Sequence, residues 1–266
     1  MRVNSNSDGR TAAAEPVAKP PNVRSIIKAF QVLEAFRERD RFLNLSDIAA
    51  ATGLDKSAVQ RFTRTLRDLG YLEQEPTTRR YSLGRRLLDL SFWFLRSHPL
   101  TDRAVPVLVD LRQAVGERVD LVLPDGDFIL YVIRMQAKRE AVRPALVGRR
   151  VPQFCSAGGR AMLACLDEAE ALRIITASDR RAFTPHTKTD PDAILEEVRK
   201  ARAKGYAVQS QEWLLTETVA AAAVTDNAGK PIGAINIAAH ASDLRMAEFE
   251  RRIAPALLAA ARELKG

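Results

Sequence analysis

From Val23 onward, apolar residues recur at helical spacing through Ile26, Ile27, Phe30, Leu33 and Phe36, which predicts a supporting helix buried against the two that follow. A polar run from Arg37 to Arg41 predicts a loop. Ser46 then offers an N-cap for a short helix carrying Ile48, Ala49 and Ala50, which Gly53 can end with a positive φ. Leu54 fills the turn, Asp55 caps a second helix running to about Leu69, and Gly70 stops it. At ~100° per residue the second helix puts Ala58, Val59, Phe62, Leu66 and Leu69 on one side and Ser57, Gln60, Arg61 and Arg64 opposite. Tyr71-Leu72-Glu73 and Arg80-Tyr81-Ser82-Leu83 alternate around the polar turn Glu75-Pro76-Thr77-Thr78, which predicts a β-hairpin. This is the order of a winged helix-turn-helix, whose second helix enters the major groove of DNA.

Beyond the hairpin, Gly84 to Ser97 predicts a linker helix whose Leu87, Leu88, Leu90, Phe92, Trp93, Phe94 and Leu95 cover most of its circumference. So much apolar surface needs a partner. A second copy of the helix is the economical one, and pairing would set two reading heads on one near-palindromic site. Leu100 to Val115 is a further amphipathic helix, expected to break or start near Pro106. The period then changes to that of strands over Val119 to Leu123, Phe128 to Arg134 and Ala141 to Val147. Three helices follow, near Ala157 to Leu166, Asp167 to Thr176 and Pro191 to Lys204. Three more strands, Tyr206 to Gln211, Thr218 to Thr225 and Pro231 to Ala239, precede a closing helix from about Leu244 to Leu264 that contains Pro255. The predicted fold class is α+β with a mostly antiparallel sheet. The divisions are a disordered tail over 1–22, a winged helix-turn-helix over 23–84, a linker helix over 85–97 and a second domain over 98–266.

Charge sharpens the picture at the N-terminal end. The net charge of +8 divides as 16 basic against 11 acidic residues in 1–90 and 25 against 22 in 91–266. From Lys56 to Arg67 the chain holds Lys56, Arg61, Arg64 and Arg67 and no carboxylate, which suits a polyanion. Arg61, Arg64 and Gln60 can bond guanine or adenine edges bidentately, with Ser57 beside them. Lys56 and the hairpin residues Arg79 and Arg80 are placed for phosphate.

Candidate chemistry elsewhere is sparse. Two cysteines, Cys155 and Cys165, make no disulfide framework, and with a polar N-terminus and no apolar run of about 20 residues the expected setting is a reducing cytoplasm, without a membrane anchor. The three histidines are scattered, no metal-ligand spacing or phosphate loop occurs, and neither a metal nor a cofactor is implied. Phe154-Cys155-Ser156-Ala157-Gly158-Gly159-Arg160 opens a helix with small residues, where exposed backbone N–H groups could meet a carboxylate or phosphate, although close packing explains the small residues equally well.

Taken in order, these motifs resemble the IclR family of bacterial transcriptional regulators. The carriers are Leu45-Ser46-Asp47-Ile48-Ala49, Thr52-Gly53-Leu54, Lys56-Ser57-Ala58-Val59-Gln60-Arg61, Leu69-Gly70-Tyr71-Leu72 and Arg80-Tyr81-Ser82-Leu83-Gly84. Further along come Gly126-Asp127, Tyr131-Val132, Val151-Pro152, Ser156 to Ala161, Gly205 to Val208 and Gly233 to Ile237. The resemblance implies a GAF-like effector-binding domain, assembly as a homodimer or dimer of dimers, a double-stranded DNA operator and a small organic acid effector. It places the effector carboxylate at Ala157 and Gly158 and the other pocket positions at Gln209, Val219, Asn236 and Ala238. Glyoxylate and pyruvate responders of the family carry Asp, Cys and two Ser at those last four. The uncharged, partly apolar wall here implies a larger organic acid, aromatic or a sugar acid. A ligand-responsive regulator of a catabolic operon, without enzymatic activity, is therefore expected. Its rivals are a GAF-like enzyme using Cys155 and an architectural DNA binder without a ligand.

Overall fold

The computed structural model describes residues 22–36, 42–137, 147–242 and 246–266. Apart from Asn22 and Val147, the expected tail over 1–22 and the strand over Ala141 to Val147 lie outside the described residues, as does the loop from Arg37 to Arg41. The chain forms two compact units, Met1–Ser91 and Phe92–Gly266.

In the first unit, helices α1 (Arg24–Glu34), α2 (Leu45–Thr52) and α3 (Lys56–Asp68) precede the hairpin strands β1 (Leu72–Gln74) and β2 (Tyr81–Leu83). Val32, Ile48, Val59, Leu66, Leu72 and Tyr81 make the core, and Leu43 joins by bridging to Tyr81 across the hairpin edge. Gly53 ends α2 at φ 69° and the Asp55 carboxylate caps α3 by accepting the Ala58 N–H, as the spacing predicted. The cap of α2 is different. Asn44, not Ser46, takes that position: its Oδ1 accepts the N–H groups of Ser46 and Asp47, and Asp47 Oδ2 accepts the Asn44 N–H at 2.8 Å.

Two expectations about burial fail here. Val32 is the residue of α1 that is fully buried, with Leu33 packed beside it, while Val23, Ile26, Ile27 and Phe30 are exposed. A helical stripe identifies an apolar face and leaves open what covers it. Leu69, assigned to the core side of α3, is also exposed, because the helix ends at Asp68 and the chain turns away through Gly70 at φ 80°.

Helix α4 (Arg86–Ser97) follows, with no fully buried residue and with Leu88, Leu90, Phe92, Trp93 and Phe94 exposed. In the second unit α5 (Pro99–Val115) runs unbroken through Pro106, because Leu100, Ala104, Val107, Leu108 and Leu111 on both sides of the proline are anchored in one core. Strands β3 (Arg118–Asp125), β4 (Phe128–Met135) and β5 (Arg150–Pro152) lead through a single turn at Gln153–Cys155 into α6 (Ala157–Leu163), α7 (Glu168–Ala177) and α8 (Pro191–Lys204). Strands β6 (Ala207–Ser210), β7 (Glu217–Thr225) and β8 (Pro231–His240) and helix α9 (Met246–Glu263), which continues through Pro255, complete the unit. The six strands lie in the order β5-β4-β3-β8-β7-β6, every pairing antiparallel.

Strand alternation then decides what each face of this sheet meets. Val119, Leu121, Ala220, Ile235 and Ile237 pack on α5 and α9. The opposite face, with Val219, Ala221 and Ala238, packs on Ala157 and Ala161 of α6. Alanine there is a geometric requirement, since only small side chains let a helix and a sheet approach so closely. A Cβ added to Gly159 would lie 2.3 Å from Gln153 Cα, so the entry to α6 is equally tight.

Candidate functional site

All seven residues predicted to face DNA are exposed, Lys56, Ser57, Gln60, Arg61 and Arg64 along α3 and Arg79 and Arg80 at the hairpin. Behind them Ala58, Val59, Thr63 and Leu66 are buried, so the exposed polar face is one side of a helix held by its other side. The Ser57 hydroxyl donates to Asp55 Oδ1 at 2.6 Å, and this bond, with the Ala58 N–H, holds the Asp55 carboxyl below its ordinary pKa. Arg67 belongs to a different task. Its guanidinium donates to Asp68 at 3.0 Å and to Gln74 at 3.2 Å, tying α3 to the hairpin. At the hairpin tip Arg79 adopts φ 59°, a left-handed conformation uncommon for a side-chain-bearing residue. Its carbonyl accepts from Gln74 Nε2 at 3.0 Å and its N–H donates to Glu75, so the strained turn is held from both sides.

The six residues predicted to hold an effector gather on the α6 side of the large sheet. Gln209, Val219 and Ala238 form one transverse row with Arg118, and Asn236 stands in the next row. A Cβ on Gly158 would lie 2.6 Å from Asn236 Oδ1 and 3.0 Å from Val122 Cγ2, so glycine permits this approach. Ala157 and Gly158, as the first residues of α6, have no acceptor for their N–H groups within the helix. Val219 and Ala238 are already packed against Ala157 in the small-residue cluster, and the Gln209 amide oxygen accepts the Glu212 N–H at 3.0 Å.

The same face also carries charge beside those four uncharged positions. Arg118 and Asp120 are buried on this face with Glu217 at its margin: Arg118 Nε donates to Asp120 Oδ2 at 3.0 Å, and Nη1 and Nη2 donate to Glu217 at 2.6 and 3.1 Å. Arg134 lies opposite Asp120 on β4. Burial pushes the Asp120 carboxyl up to about 6 against the pull of Arg118 and Arg134. Burial works against the charge of Arg118, but its bonds to Glu217 and the charge of Asp120 prevail and raise its pKa. Tyr131 joins them, its hydroxyl 3.5 Å from Asn236 Nδ2. One signal was available in sequence: Asp120 interrupts an otherwise apolar strand at an inward-facing position.

A second buried ion pair fixes α6 from behind. Arg160 donates through both Nη atoms to Glu212 at 2.6 and 2.7 Å and through Nε to the Phe154 carbonyl at 2.8 Å. Glu212 also accepts the Lys188 N–H, so one carboxylate ties together α6, the chain after β6 and the loop before α8. Cys155 is fully buried, and burial pushes its thiol up to about 12, far from thiolate chemistry. Among the described residues no group of His, Cys, Asp and Glu could hold a metal ion, and no helix is long and apolar enough to cross a membrane.

Two family models match the chain, the IclR helix-turn-helix domain over residues 25–76 and the bacterial transcriptional regulator IclR C-terminal domain over residues 93–265. The chain belongs to the IclR family of bacterial transcriptional regulators. Among curated members, the Pca regulon regulatory protein of Pseudomonas putida is 32% identical over 92% of this chain and 84% of its own length. The HTH-type transcriptional regulator XynR of Escherichia coli is 28% identical over 92% and 98%. Among solved structures, an IclR transcriptional regulator from Alicyclobacillus acidocaldarius superposes with a TM-score of 0.80 at 27% identity, covering 92% of this chain and 98% of that one. An IclR homologue from Microbacterium hydrocarbonoxydans, complexed with 4-hydroxybenzoate, has the same fold at a TM-score of 0.73 and 23% identity, covering 91% and 97%. The IclR assignment makes this chain a DNA-binding transcriptional regulator rather than an enzyme, and the alternative of a catalytic Cys155 falls with it.

Proposed function

We propose that this IclR-family protein is a ligand-responsive repressor or activator of a catabolic operon, acting in the cytoplasm, with an organic acid as effector. Residues 23–84 read the operator, 85–97 pair two copies and 98–266 hold the effector. Ser57, Gln60, Arg61 and Arg64 meet base edges, while Lys56, Arg79 and Arg80 hold phosphates. The effector lies against Ala157 and Gly158, with Gln209, Val219, Asn236 and Ala238 around it.

The observation that carries the sensing half of this reading is the set of polar and charged residues buried beneath α6. Arg118, Asp120 and Asn236 are at most 2% exposed, and a sheet face built for stability alone would be apolar there. The glycerol operon regulatory protein of Streptomyces coelicolor, 31% identical over 91% of this chain and 93% of its own length, supports the catabolic setting. The 4-hydroxybenzoate held by a protein of the same fold supports an organic acid. Pairing through α4 as a homodimer, or as a dimer of dimers, is supported by its exposed leucines and aromatics.

The test is operator affinity measured by fluorescence anisotropy with and without a panel of acids that stabilise the protein thermally. An effector of this kind changes affinity about 5- to 150-fold, equivalent to about 1–3 kcal/mol of coupling. Acids that raise the melting temperature and leave operator affinity unchanged would overturn the reading.

A further inference from the structure

Two apolar features of the second unit lie side by side on α4. The first is a knob. Trp93 is 64% exposed, and Phe92 meets it edge-on with ring centroids 5.2 Å apart. The second is a hole. An open groove of about 600 Å³ is walled by Phe94, His98, Leu100, Leu123, Leu130 and Ile232, with Arg103 and Asp125 as its charged members. It lies on the α5 face of the sheet, away from α6, since Leu100 and Leu123 belong to the core that α5 and α9 close, and Leu130 and Ile232 pack against that core. The corner between α4 and α5 is fixed by the Thr101 hydroxyl, which donates to the Leu95 and His98 carbonyls, both at 2.6 Å.

Knob and hole share one helix face. Leu90, Trp93, Phe94 and Ser97 recur at i, i+3, i+4 and i+7, and Phe94 carries that stripe into the groove, where its ring centroid lies 5.9 Å from that of His98. A chain that presents both on one face is complementary to itself, as a two-fold interface requires. Area points the same way. The exposed leucines and aromatics of α4 would each bury roughly 100–150 Å², so that all of them together offer roughly 600 Å² a copy, and a helix pair covers only the side that meets its partner. A stable dimer buries about 800 Å² on each side. The groove is contiguous with the stripe and supplies the area that the helix lacks. Its chemistry fits as well. An indole is an apolar plate with one N–H donor and no acceptor, and it needs an acceptor when buried. The Asp125 carboxylate stands among the apolar walls of the groove.

We infer that Trp93 of each copy docks in the groove at the α4–α5 corner of a second copy, the two insertions being exchanged across a two-fold axis. This rests on the reading that α4 pairs two copies, and it adds the anchor of that pairing and the receptacle that takes it.

Full-length protein carrying the photo-cross-linker p-benzoylphenylalanine in place of Trp93 tests this directly. Light and heavy-isotope copies are mixed and irradiated, and the cross-links are mapped by mass spectrometry, so that contacts between copies are told from those within one. Cross-links should run from position 93 of one copy to residues 98–100, 123–125 or 231–232 of the other. In sedimentation, Trp93→Ala should weaken the dimer at least about thirtyfold, as the loss of a central tryptophan anchor does, and Trp93→Phe should keep most of the affinity. Pro124→Glu, which sets a charge on an exposed residue of the groove, should weaken it at least about tenfold. Circular dichroism of the dilute variants should match wild type, because both side chains are exposed in a single copy. Cross-links confined to residues 86–97 of the other copy would overturn the docking and leave the pairing through α4 standing. A dimer indifferent to both Trp93→Ala and Pro124→Glu would do the same and give the groove to a different occupant. Cross-links from position 93 to the groove of its own copy would also overturn it. A chain that sediments as a monomer at micromolar concentration would remove both readings.

Discussion

The arginines of α3 and those of the second unit are the same residue type put to opposite uses. Arg61 and Arg64 stand in solvent on a helix held from behind by Val59 and Leu66, with 3.9 Å between Arg64 and its nearest carboxylate, Asp68. Arg118 and Arg160 are buried at 2% and 0% exposure, each bound bidentately to a glutamate. An exposed guanidinium is nearly free to leave its surroundings for a phosphate or base. A buried one is committed, and its removal strands a partner. Substitutions should therefore separate binding from folding in the first region and fuse them in the second.

The largest effect is expected at the committed pair. Arg160→Met leaves buried Glu212 with only Lys188, its Nζ 3.7 Å away, and should cost about 3 kcal/mol in urea unfolding, with Arg160→Met/Glu212→Leu recovering much of it. Next comes a steric contrast within the first unit. A Cβ on Gly84 would lie 2.2 Å from the Gly70 carbonyl oxygen, so Gly84→Ala should lower stability by about 1–3 kcal/mol through forced backbone movement, read as a drop in melting temperature. Arg61→Ala should leave the melting temperature where it is and cost about 1–3 kcal/mol in operator binding, with discrimination against random DNA reduced. Equal affinity for operator and random DNA before and after that change would show that the reading face is elsewhere.

A last effect, of similar size, is one of pH. Burial raises the folded-state pKa of Asp120 to about 6, above the usual carboxylate range, so the stability contributed by its protonated form is fully present below about pH 4 and is lost as pH rises through 6. Asp120→Asn should flatten that part of the stability profile, by about 1–3 kcal/mol between pH 4 and 7 in urea melts. A profile parallel to wild type would show that Asp120 ionises in the fold as it does in the unfolded chain.

The first region was legible in sequence because its logic is local. Helical period, Gly53, Asp55 and Gly70 all act within a few residues of what they determine, and the alternation of the hairpin strands does the same. Its local errors are small: Ser46 for Asn44 as the cap of α2 is a shift of two residues between two side chains that both can cap, and Leu69 lies one residue past the end of α3. The exposed stripe of α1 escaped because periodicity does not name a partner.

The second region was legible as strands and helices, and the six predicted effector positions do come together on one face. Its charged members were missed because their meaning is made by register. Asp120 meets Arg134 and Asn236 only once three strands are aligned, and Arg160 finds Glu212 across 52 residues of chain. Nothing within a window of ten residues distinguishes Arg134 from an arginine at a strand end.

The most direct test sets the reading face against the sensing face in one experiment, operator binding isotherms of wild type, Arg61→Ala and Asn236→Ala with and without an organic acid that raises the melting temperature of wild type. Arg61→Ala should bind operator weakly yet still be stabilised by the acid. Asn236→Ala should bind operator like wild type and no longer respond to the acid. An acid response that survives in Asn236→Ala, or operator affinity that survives in Arg61→Ala, would contradict this division between a face that reads and a face that senses.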